Sequence, residues 1–247
     1  MARLIWDKVG ERFYETGVKH GVFYPINGRG KYWNGVAWNG LTQVTEKPTG
    51  AEPTALYADD LKYLNLLSME EFGATIEAYS YPLEFARALG RIEIARGVEI
   101  AQQERTRFGF SYQTTAGNDT EGTEYAYKIH LIYGAKASPS EESFSTIDDS
   151  PDAVTYSWDI ATEPIAVENG KPTAHVILDG MLFKQKGLMN ALHAIEDVLY
   201  GTDDASAKMP FPDEIQEKVI EHKYLRDSNG DIVYDRNGNP VESSVYH

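Results

Sequence analysis

The chain has 247 residues, 42% of them hydrophobic, no cysteine and a formal charge of −15 at pH 7. This length and apolar fraction allow one large β domain with a buried core, and the lack of cysteine excludes disulfides and thiolate zinc sites. The basic residues are scattered, so tight nucleic-acid binding is disfavoured, because a surface of this sign repels phosphates.

The sequence predicts neither a signal peptide nor a membrane anchor. Residues 4–6 form the apolar run nearest the N-terminus, and this run is too short for the apolar core of a signal peptide. No stretch approaches the roughly 18 uninterrupted apolar residues that a membrane helix needs. We therefore expect a soluble protein without a membrane partner.

Short strands joined by tight turns are predicted for most of the first 60 residues. Three Asn-Gly dipeptides occur near the N-terminus, and this dipeptide supplies the positive φ that tight hairpins require. Residues 47–60 contain Pro48, Gly50 and Pro53 with little periodicity, so we expect an extended loop or arm there. A further strand is predicted at 61–68.

Two-residue alternation is the strongest pattern in the chain, and it recurs at 72–80, 107–115, 125–133 and 153–162. Successive side chains of a strand point to opposite faces, so each segment predicts a strand with one apolar face. The other face carries mostly short polar side chains rather than the usual charged ones. The pattern therefore predicts a sheet that covers a core on one side and borders water or a watery channel on the other.

Weaker elements surround these strands. A short strand pair is predicted at about 91–100, an acidic and solvated connector at 138–152 and a strand at 173–179. One strong helix is predicted at 184–200, because apolar residues recur there at helical spacing. Gly201 follows this helix as a C-terminal cap.

The C-terminal part of the chain is more polar. A second helix is predicted from Asp213 to about 223, with Gln216 as the capping-box partner. Residues 224–247 predict a small hairpin or a mobile arm, because their Asn-Gly dipeptides favour turns. We therefore divide the chain into a main domain, residues 1–223, and a C-terminal arm or hairpin, residues 224–247.

No arrangement of residues in the sequence indicates catalysis. The six histidines form neither an HExxH pair nor another metal-ligand spacing. The segment 28–31 lacks the Ser or Thr and the following helix of a phosphate-binding loop. The segment 227–238 begins with the spacing of a calcium loop, but Ile232 stands where glycine is needed. We expect no enzyme, no cofactor and no metal site.

A series of motifs runs in order along most of the chain. They are Trp38-Asn39-Gly40-Leu41-Thr42, Ala51-Glu52-Pro53-Thr54, Tyr57-Ala58-Asp59, Lys62-Tyr63-Leu64, Glu70-Glu71-Phe72-Gly73, Phe108-Gly109-Phe110-Ser111-Tyr112, Gly117-Asn118-Asp119, Tyr127-Lys128-Ile129-His130-Leu131-Ile132-Tyr133-Gly134, Ala137-Ser138-Pro139-Ser140 and Leu199-Tyr200-Gly201-Thr202-Asp203. Together they resemble the major tail tube proteins of long-tailed bacteriophages, over roughly residues 1–220.

The resemblance implies a fold, an assembly and a set of partners. The fold is mainly β, a tail-tube-like β-sandwich or partial barrel with one flanking α-helix and extended arms or loops. Proteins of this family form stacked hexameric rings, and each subunit adds strands to an inner barrel through which DNA is ejected into the host. The implied partners are further copies of the chain, the tape measure protein, the tail terminator and tail tip proteins, and transiting DNA that is not bound specifically. The implied location is the virion, in the phage tail, after assembly in the host cytoplasm.

A ring-shaped DNA channel would explain both the polar strand faces and the exposed strand edges. The channel should be wet and free of an adhesive basic lining, and exposed edges pair with neighbouring subunits in a closed ring. We expect the loop 47–60 and both termini to join stacked rings. The candidate lumen-facing residues are Thr75, Glu77, Ser111, Gln113, Thr155, Ser157 and Asp159.

The main alternative is a non-catalytic β-sandwich binding module that recognises host-surface carbohydrate. Such a module presents exposed aromatic rings as a planar platform. The tail-tube interpretation instead places most of the strand aromatics in the core; they are Phe110, Tyr125, Tyr127 and Trp158.

Overall fold

The computed structural model describes residues 4–144, 146, 153–168, 170–224, 232, 233 and 241. Within these residues the strands, in chain order, are β1 (Phe13–Pro25), β2 (Val36–Trp38), β3 (Leu41–Glu46), β4 (Thr49–Gly50), β5 (Pro53–Ala58), β6 (Leu61–Leu67), β7 (Glu70–Glu71), β8 (Gly73–Ala78), β9 (Ile92–Ala95), β10 (Val98–Ile100), β11 (Phe108–Asn118), β12 (Gly122–Ala137), β13 (Tyr156–Ala161) and β14 (His175–Asp179). The helices are α1 (Gly180–Gln185), α2 (Met189–Tyr200) and α3 (Pro212–Lys223), with a short 3-10 helix at Leu83–Arg87. The predicted C-terminal arm, 224–247, lies almost wholly outside the described residues.

Eight of the described strands form one antiparallel sheet. Its order is β2-β1-β11-β12-β13-β8-β3, and β14 also pairs with β12. The long strand β12 holds two partners, because residues 128–132 pair with β14 while residues 136–137 pair with β13. Only Asn39 and Gly40 separate β2 from β3, the two ends of this path. The sheet therefore folds back on itself without closing into a barrel.

The first core is an aromatic cluster enclosed by this folded sheet. It takes Phe23 from β1, Phe110 from β11 and Trp158 from β13, all fully or almost fully buried. Phe85, on the 3-10 helix, lies at the centre of the cluster, with its ring 4.5 Å from Trp38 and 5.2 Å from Trp158. Burial of each such ring contributes about 1.5–3 kcal/mol to stability, so this cluster holds the two halves of the sheet together.

The second core lies between the other face of the sheet and the helices. Alternation in β1 sends Phe23 to the first core and its neighbours Val22 and Tyr24 to the second. The sheet also contributes Leu131, which packs in the same cluster as Leu192 of α2. None of the described helices is long and apolar enough to cross a membrane.

The predicted fold class and the strongest strands are confirmed. The molecule is mainly β, and the four alternating segments correspond to β8, β11, β12 and β13. The segment 47–60, predicted as an extended loop or arm, is part of an arm, because it contains β4 and β5 and these pair with the strands that follow. The short pair predicted at 91–100 is the hairpin of β9 and β10.

The helices differ from the prediction in two respects. The helix expected at 184–200 is divided into α1 and α2, because Gly187 between them has φ +67, a conformation that ends a helix. The second helix, α3, begins with Pro212, so the third helical position is Glu214 rather than the predicted Gln216. The Glu214 carboxylate accepts a hydrogen bond from the backbone N–H of Phe211 at 2.8 Å.

Candidate assembly surfaces and a histidine cluster

The outer face of β3, β8 and β13 carries a row of polar side chains that we call the polar strip. The strip consists of Gln43, Thr45, Thr75, Glu77, Ser157 and Asp159. The strand register pairs Asp159 with Thr75 and Thr75 with Thr45 in one row. In the second row it pairs Ser157 with Glu77 and Glu77 with Gln43. Their neighbours along the strands, such as Ile76 and Trp158, point into the first core. Two of the alternating segments therefore have the polar outer face that their sequence predicts.

Hydrogen bonds within the polar strip fix several of its side chains. The Thr75 hydroxyl donates to Asp159 Oδ1 at 2.6 Å, and Lys47 Nζ lies 3.1 Å from the same oxygen. These hydrogen bonds, the one from Thr75 first, lower the pKa of Asp159. Gln43 donates to the Thr45 hydroxyl at 3.0 Å. Asp159 is thus paired with a cation, whereas Glu77 has no ion-pair partner among the described residues.

Ser111 and Gln113 are not on this exposed face, contrary to the sequence-based prediction. Both are buried, because they lie on a central strand whose second face is covered by the helices. Ser111 Oγ lies 3.3 Å from the hydroxyl of Tyr24, which donates to the carbonyl of Leu199 in α2 at 2.8 Å. Thr155 is exposed but precedes β13. The other four candidates share the polar strip, in which Thr75 is buried beneath its neighbours and Asp159 is exposed.

A hairpin that we call the arm, residues 49–71, extends away from the sheet. Strands β4 and β7 pair at its base, and β5 and β6 pair beyond them. The six residues of β5 alone span roughly 20 Å at about 3.3 Å per residue. The arm exposes large apolar side chains, namely Leu56, Tyr57, Leu61, Tyr63, Leu64, Leu66, Leu67 and Met69. An isolated two-stranded hairpin is marginally stable in water, so an arm of this composition needs a surface to cover it.

Other apolar residues and free strand edges lie elsewhere on the surface. The N-terminal segment exposes Leu4, Ile5 and Trp6, and the β9–β10 hairpin exposes Ile94 and Val98. Among the described strands of the eight-stranded sheet, β2, β3 and β14 each have a partner on one side only. Such edges leave backbone N–H and C=O groups available to pair with a further strand.

Two histidines and a glutamate from three different strands meet beside the first core, in a group that we call the histidine cluster. Glu46 ends β3, His130 lies in the middle of β12 and His175 begins β14. Glu46 Oε1 lies 3.1 Å from His130 Nδ1 and 3.4 Å from His175 Nε2. These two ring nitrogens are 3.3 Å apart. Glu46 Oε1, His130 Nδ1 and His175 Nε2 therefore all lie within 3.4 Å of one another.

Aromatic stacking and burial hold the histidine cluster in place. The His130 ring stacks on Tyr112 at 4.6 Å, and the His175 ring stacks on Phe72 at 4.4 Å. The Tyr112 hydroxyl donates to Glu46 Oε1 at 2.7 Å. The hydrogen bond with His130 lowers the pKa of Glu46 to about 2, and burial lowers the pKa of His175. Glu46 is thus a carboxylate at neutral pH, and His175 favours its neutral form.

Comparison with known proteins gives only distant likenesses. No family model and no curated protein matches the chain. A chain of the anti-feeding prophage (AFP) baseplate, solved by cryo-EM with six-fold symmetrisation, is 11% identical over 72% of this chain and 99% of that one, with a TM-score of 0.35. A chain of the PVC sheath-tube complex, an extracellular contractile injection system in its extended state, is 11% identical over 70% and 93%, with a TM-score of 0.30. Neither likeness is close enough to carry an argument about this chain.

The structure also places the aromatic residues that distinguish the two sequence-based interpretations. Phe110 and Trp158 are fully buried, while Tyr125 and Tyr127 are half-buried. The Tyr125 ring contacts Phe13 at 5.4 Å. These four residues therefore do not form the exposed aromatic platform that a carbohydrate-binding module needs.

Sequence reasoning missed the histidine cluster. Its members are far apart in sequence and belong to no metal-binding motif, so only strand pairing and the folded sheet bring them together. The available signal was His130, a polar residue within the alternating pattern of 125–133. The position of His130 in that pattern does not identify the two residues that contact it, Glu46 and His175.

Proposed function

We propose that the chain is the structural subunit of a phage tail tube. Copies of the subunit assemble edge to edge into hexameric rings, the rings stack through their arms, and DNA leaves the phage through the bore. In this proposal the tube forms in the host cytoplasm around the tape measure protein, between tail tip and tail terminator proteins, and becomes part of the virion. The ordered sequence motifs that resemble tail tube proteins support it.

The arm is the observation that carries the proposal. Tyr63 is 73% and Leu67 70% exposed. Both belong to β6, and the described part of the monomer does not cover their side chains. The paired strands β5 and β6 extend the arm by roughly 20 Å, and in this proposal the arm contacts a neighbouring ring. Burial of exposed apolar area at about 25 cal/mol per Å² then stabilises the stack.

The free edges of β2, β3 and β14 support lateral assembly. An unpaired edge promotes uncontrolled aggregation in a monomer, whereas in a ring each edge is paired with its neighbour. Backbone hydrogen bonds between subunits extend the sheet around the ring, and the apolar arms supply contacts between rings. The two types of surface thus have separate roles in assembly.

The polar strip supports a role as the lining of the bore. Its side chains are short or uncharged apart from Glu77 and Asp159, and the only cation bonded to it is Lys47 among the described residues. A lining of this kind offers few sites to retain phosphates. A ring of six subunits has a formal net charge of about −90, which further disfavours adhesion of DNA.

Variants of the arm test the proposal. Replacing Leu61, Tyr63 and Leu67 by serine removes one apolar face of β6, and the control Lys62→Ser changes a polar residue of the same strand. We expect the wild type and the control to sediment as large assemblies, and the triple variant to remain a folded monomer or single ring. Sedimentation velocity measures assembly, and near-ultraviolet circular dichroism verifies the fold.

Two results would count against the proposal. Assembly of the triple variant at the wild-type concentration would show that the arm does not join rings. A wild type that stays monomeric and binds a glycan saturably would favour the carbohydrate-binding alternative.

A further inference from the structure

The histidine cluster has the composition and shape of a metal site that neither the sequence motifs nor the proposed function assigns. We infer that Glu46, His130 and His175 bind a divalent transition-metal ion, with Zn²⁺ the preferred ion and water the fourth ligand. Two imidazoles and one carboxylate are a common donor set for zinc, and imidazole favours zinc, copper and nickel over the hard cations. This inference is independent of the tail-tube proposal.

The spacing of the three donor atoms matches a tetrahedral ion. Bonds of about 2.0–2.1 Å from Zn²⁺ to nitrogen and oxygen place tetrahedral ligands about 3.3–3.4 Å apart. The observed separations are 3.1 Å between Glu46 and His130, 3.4 Å between Glu46 and His175, and 3.3 Å between the two histidines. An ion therefore fits above the centre of this triangle, about 2 Å from each of the three atoms, without rearrangement of the strands.

The surroundings of His130 orient it for metal binding through Nδ1. Its other nitrogen, Nε2, lies 3.2 Å from the hydroxyl oxygen of Thr114. That hydroxyl donates its own hydrogen to Glu15 at 2.6 Å, so its oxygen is free to accept one. Metal binding would move the imidazole proton from Nδ1, where it is hydrogen-bonded to Glu46, to Nε2, where Thr114 accepts it, and the Nδ1 lone pair would then point at the ion. Hydrogen bonds from the non-ligating nitrogen are the usual second shell of metal-bound histidine.

Packing preorganises the other ligands as well. The stacked rings of Tyr112 and Phe72 restrict rotation of the two imidazoles, and the hydrogen bond from Tyr112 fixes the Glu46 carboxylate. The His130 and His175 side chains are 8% and 13% exposed, and that of Glu46 is 34% exposed. The site is therefore preformed on rigid strands and remains open to solvent on the Glu46 side.

A bound ion would join β3 to β14, two edge strands that have no backbone pairing with each other among the described residues. Glu46 belongs to β3 at the end of the sheet path, while His175 belongs to the edge strand β14. An ion that binds the folded chain and not the unfolded one stabilises the fold by mass action. The role expected for the ion is thus structural.

Direct hydrogen bonding without a metal is the competing explanation of the same contacts. The experiment uses protein expressed without a polyhistidine tag, treated with a chelator and dialysed. Calorimetric titration with Zn²⁺ measures affinity and stoichiometry, and visible absorption after addition of Co²⁺ reports the geometry. We expect one equivalent of Zn²⁺ to bind, an intense tetrahedral Co²⁺ spectrum, and a Tm increase of roughly 5–10 °C at a hundredfold excess of free Zn²⁺ over Kd.

Variants identify the ligands. Glu46→Gln and His175→Asn should each reduce affinity at least tenfold and remove the Co²⁺ spectrum, whereas His193→Asn, on an exposed position of α2, should change neither. Absence of stoichiometric Zn²⁺ binding by the wild type would overturn the inference, whether or not the variants fold. Equal affinity in the wild type and in folded His175→Asn would also overturn it.

Discussion

Removal of one buried hydroxyl group should reveal how strongly the helices are fixed to the sheet. Tyr24 is completely buried, and its hydroxyl donates to the carbonyl of Leu199 at 2.8 Å. This carbonyl belongs to the last turn of α2, where no intrahelical donor is available. Tyr24→Phe keeps the ring and removes only the donor, so a buried acceptor is left without its partner.

The expected cost follows from the desolvation of that acceptor. An unsatisfied buried group costs about 1–3 kcal/mol, and in a chain of this size each kcal/mol lowers Tm by about 2–4 °C. Tyr24→Phe should therefore lower Tm by about 2–12 °C. Ser111→Ala should cost less, because Ser111 Oγ is 3.3 Å from the same hydroxyl, and the two effects should not be additive.

Thermal and urea denaturation measure this effect. Tyr79→Phe is the matched control, because Tyr79 is exposed and its substitution should change the free energy of unfolding by less than about 0.5 kcal/mol. A Tyr24→Phe variant as stable as the control would refute the assignment of this hydrogen bond.

Two further substitutions test the polar strip and the fold. Glu77→Lys should leave tube assembly intact and slow DNA ejection, because it adds a cation to the proposed lining without disrupting the Lys47–Asp159 pair. Unchanged ejection kinetics in phage carrying the variant would exclude the polar strip from the bore. Gly134→Ala should destabilise the protein by at least about 1–2 kcal/mol in urea denaturation, because Gly134 has φ +59 and an added Cβ would meet the carbonyl of Glu163. Gly28→Ala is its control, since a Cβ there meets open space, and equal losses in the two variants would contradict the steric argument.

The strands were predictable because their signal is local. Residues such as Ile76 and Trp158 alternate with polar neighbours, and this period of two is sufficient to define a strand and its apolar face. Alternation does not indicate what covers the opposite face. Ser111 and Thr75 have the same pattern in sequence, yet one is hydrogen-bonded to Tyr24 beneath a helix and the other lies on the polar strip.

The features that could not be predicted depend on contacts between distant parts of the chain. The sequence predicted an extended loop or arm at 47–60 and a separate strand at 61–68, but not their pairing, because Pro48 and Gly50 interrupt the pattern and the pairing of β5 with β6 is not visible in composition. The histidine cluster depends on the folding of the sheet, which brings β3 next to β12 and β14. Neither feature has a characteristic spacing in the sequence.

Electron microscopy of the concentrated protein tests the tail-tube proposal most directly. Wild-type protein and the serine variant of Leu61, Tyr63 and Leu67 would be imaged in negative stain under the same conditions. We predict hollow tubes of stacked six-fold rings for the wild type, and isolated rings or monomers for the variant. Wild-type protein that forms only monomers or solid, irregular aggregates at every concentration would contradict the account.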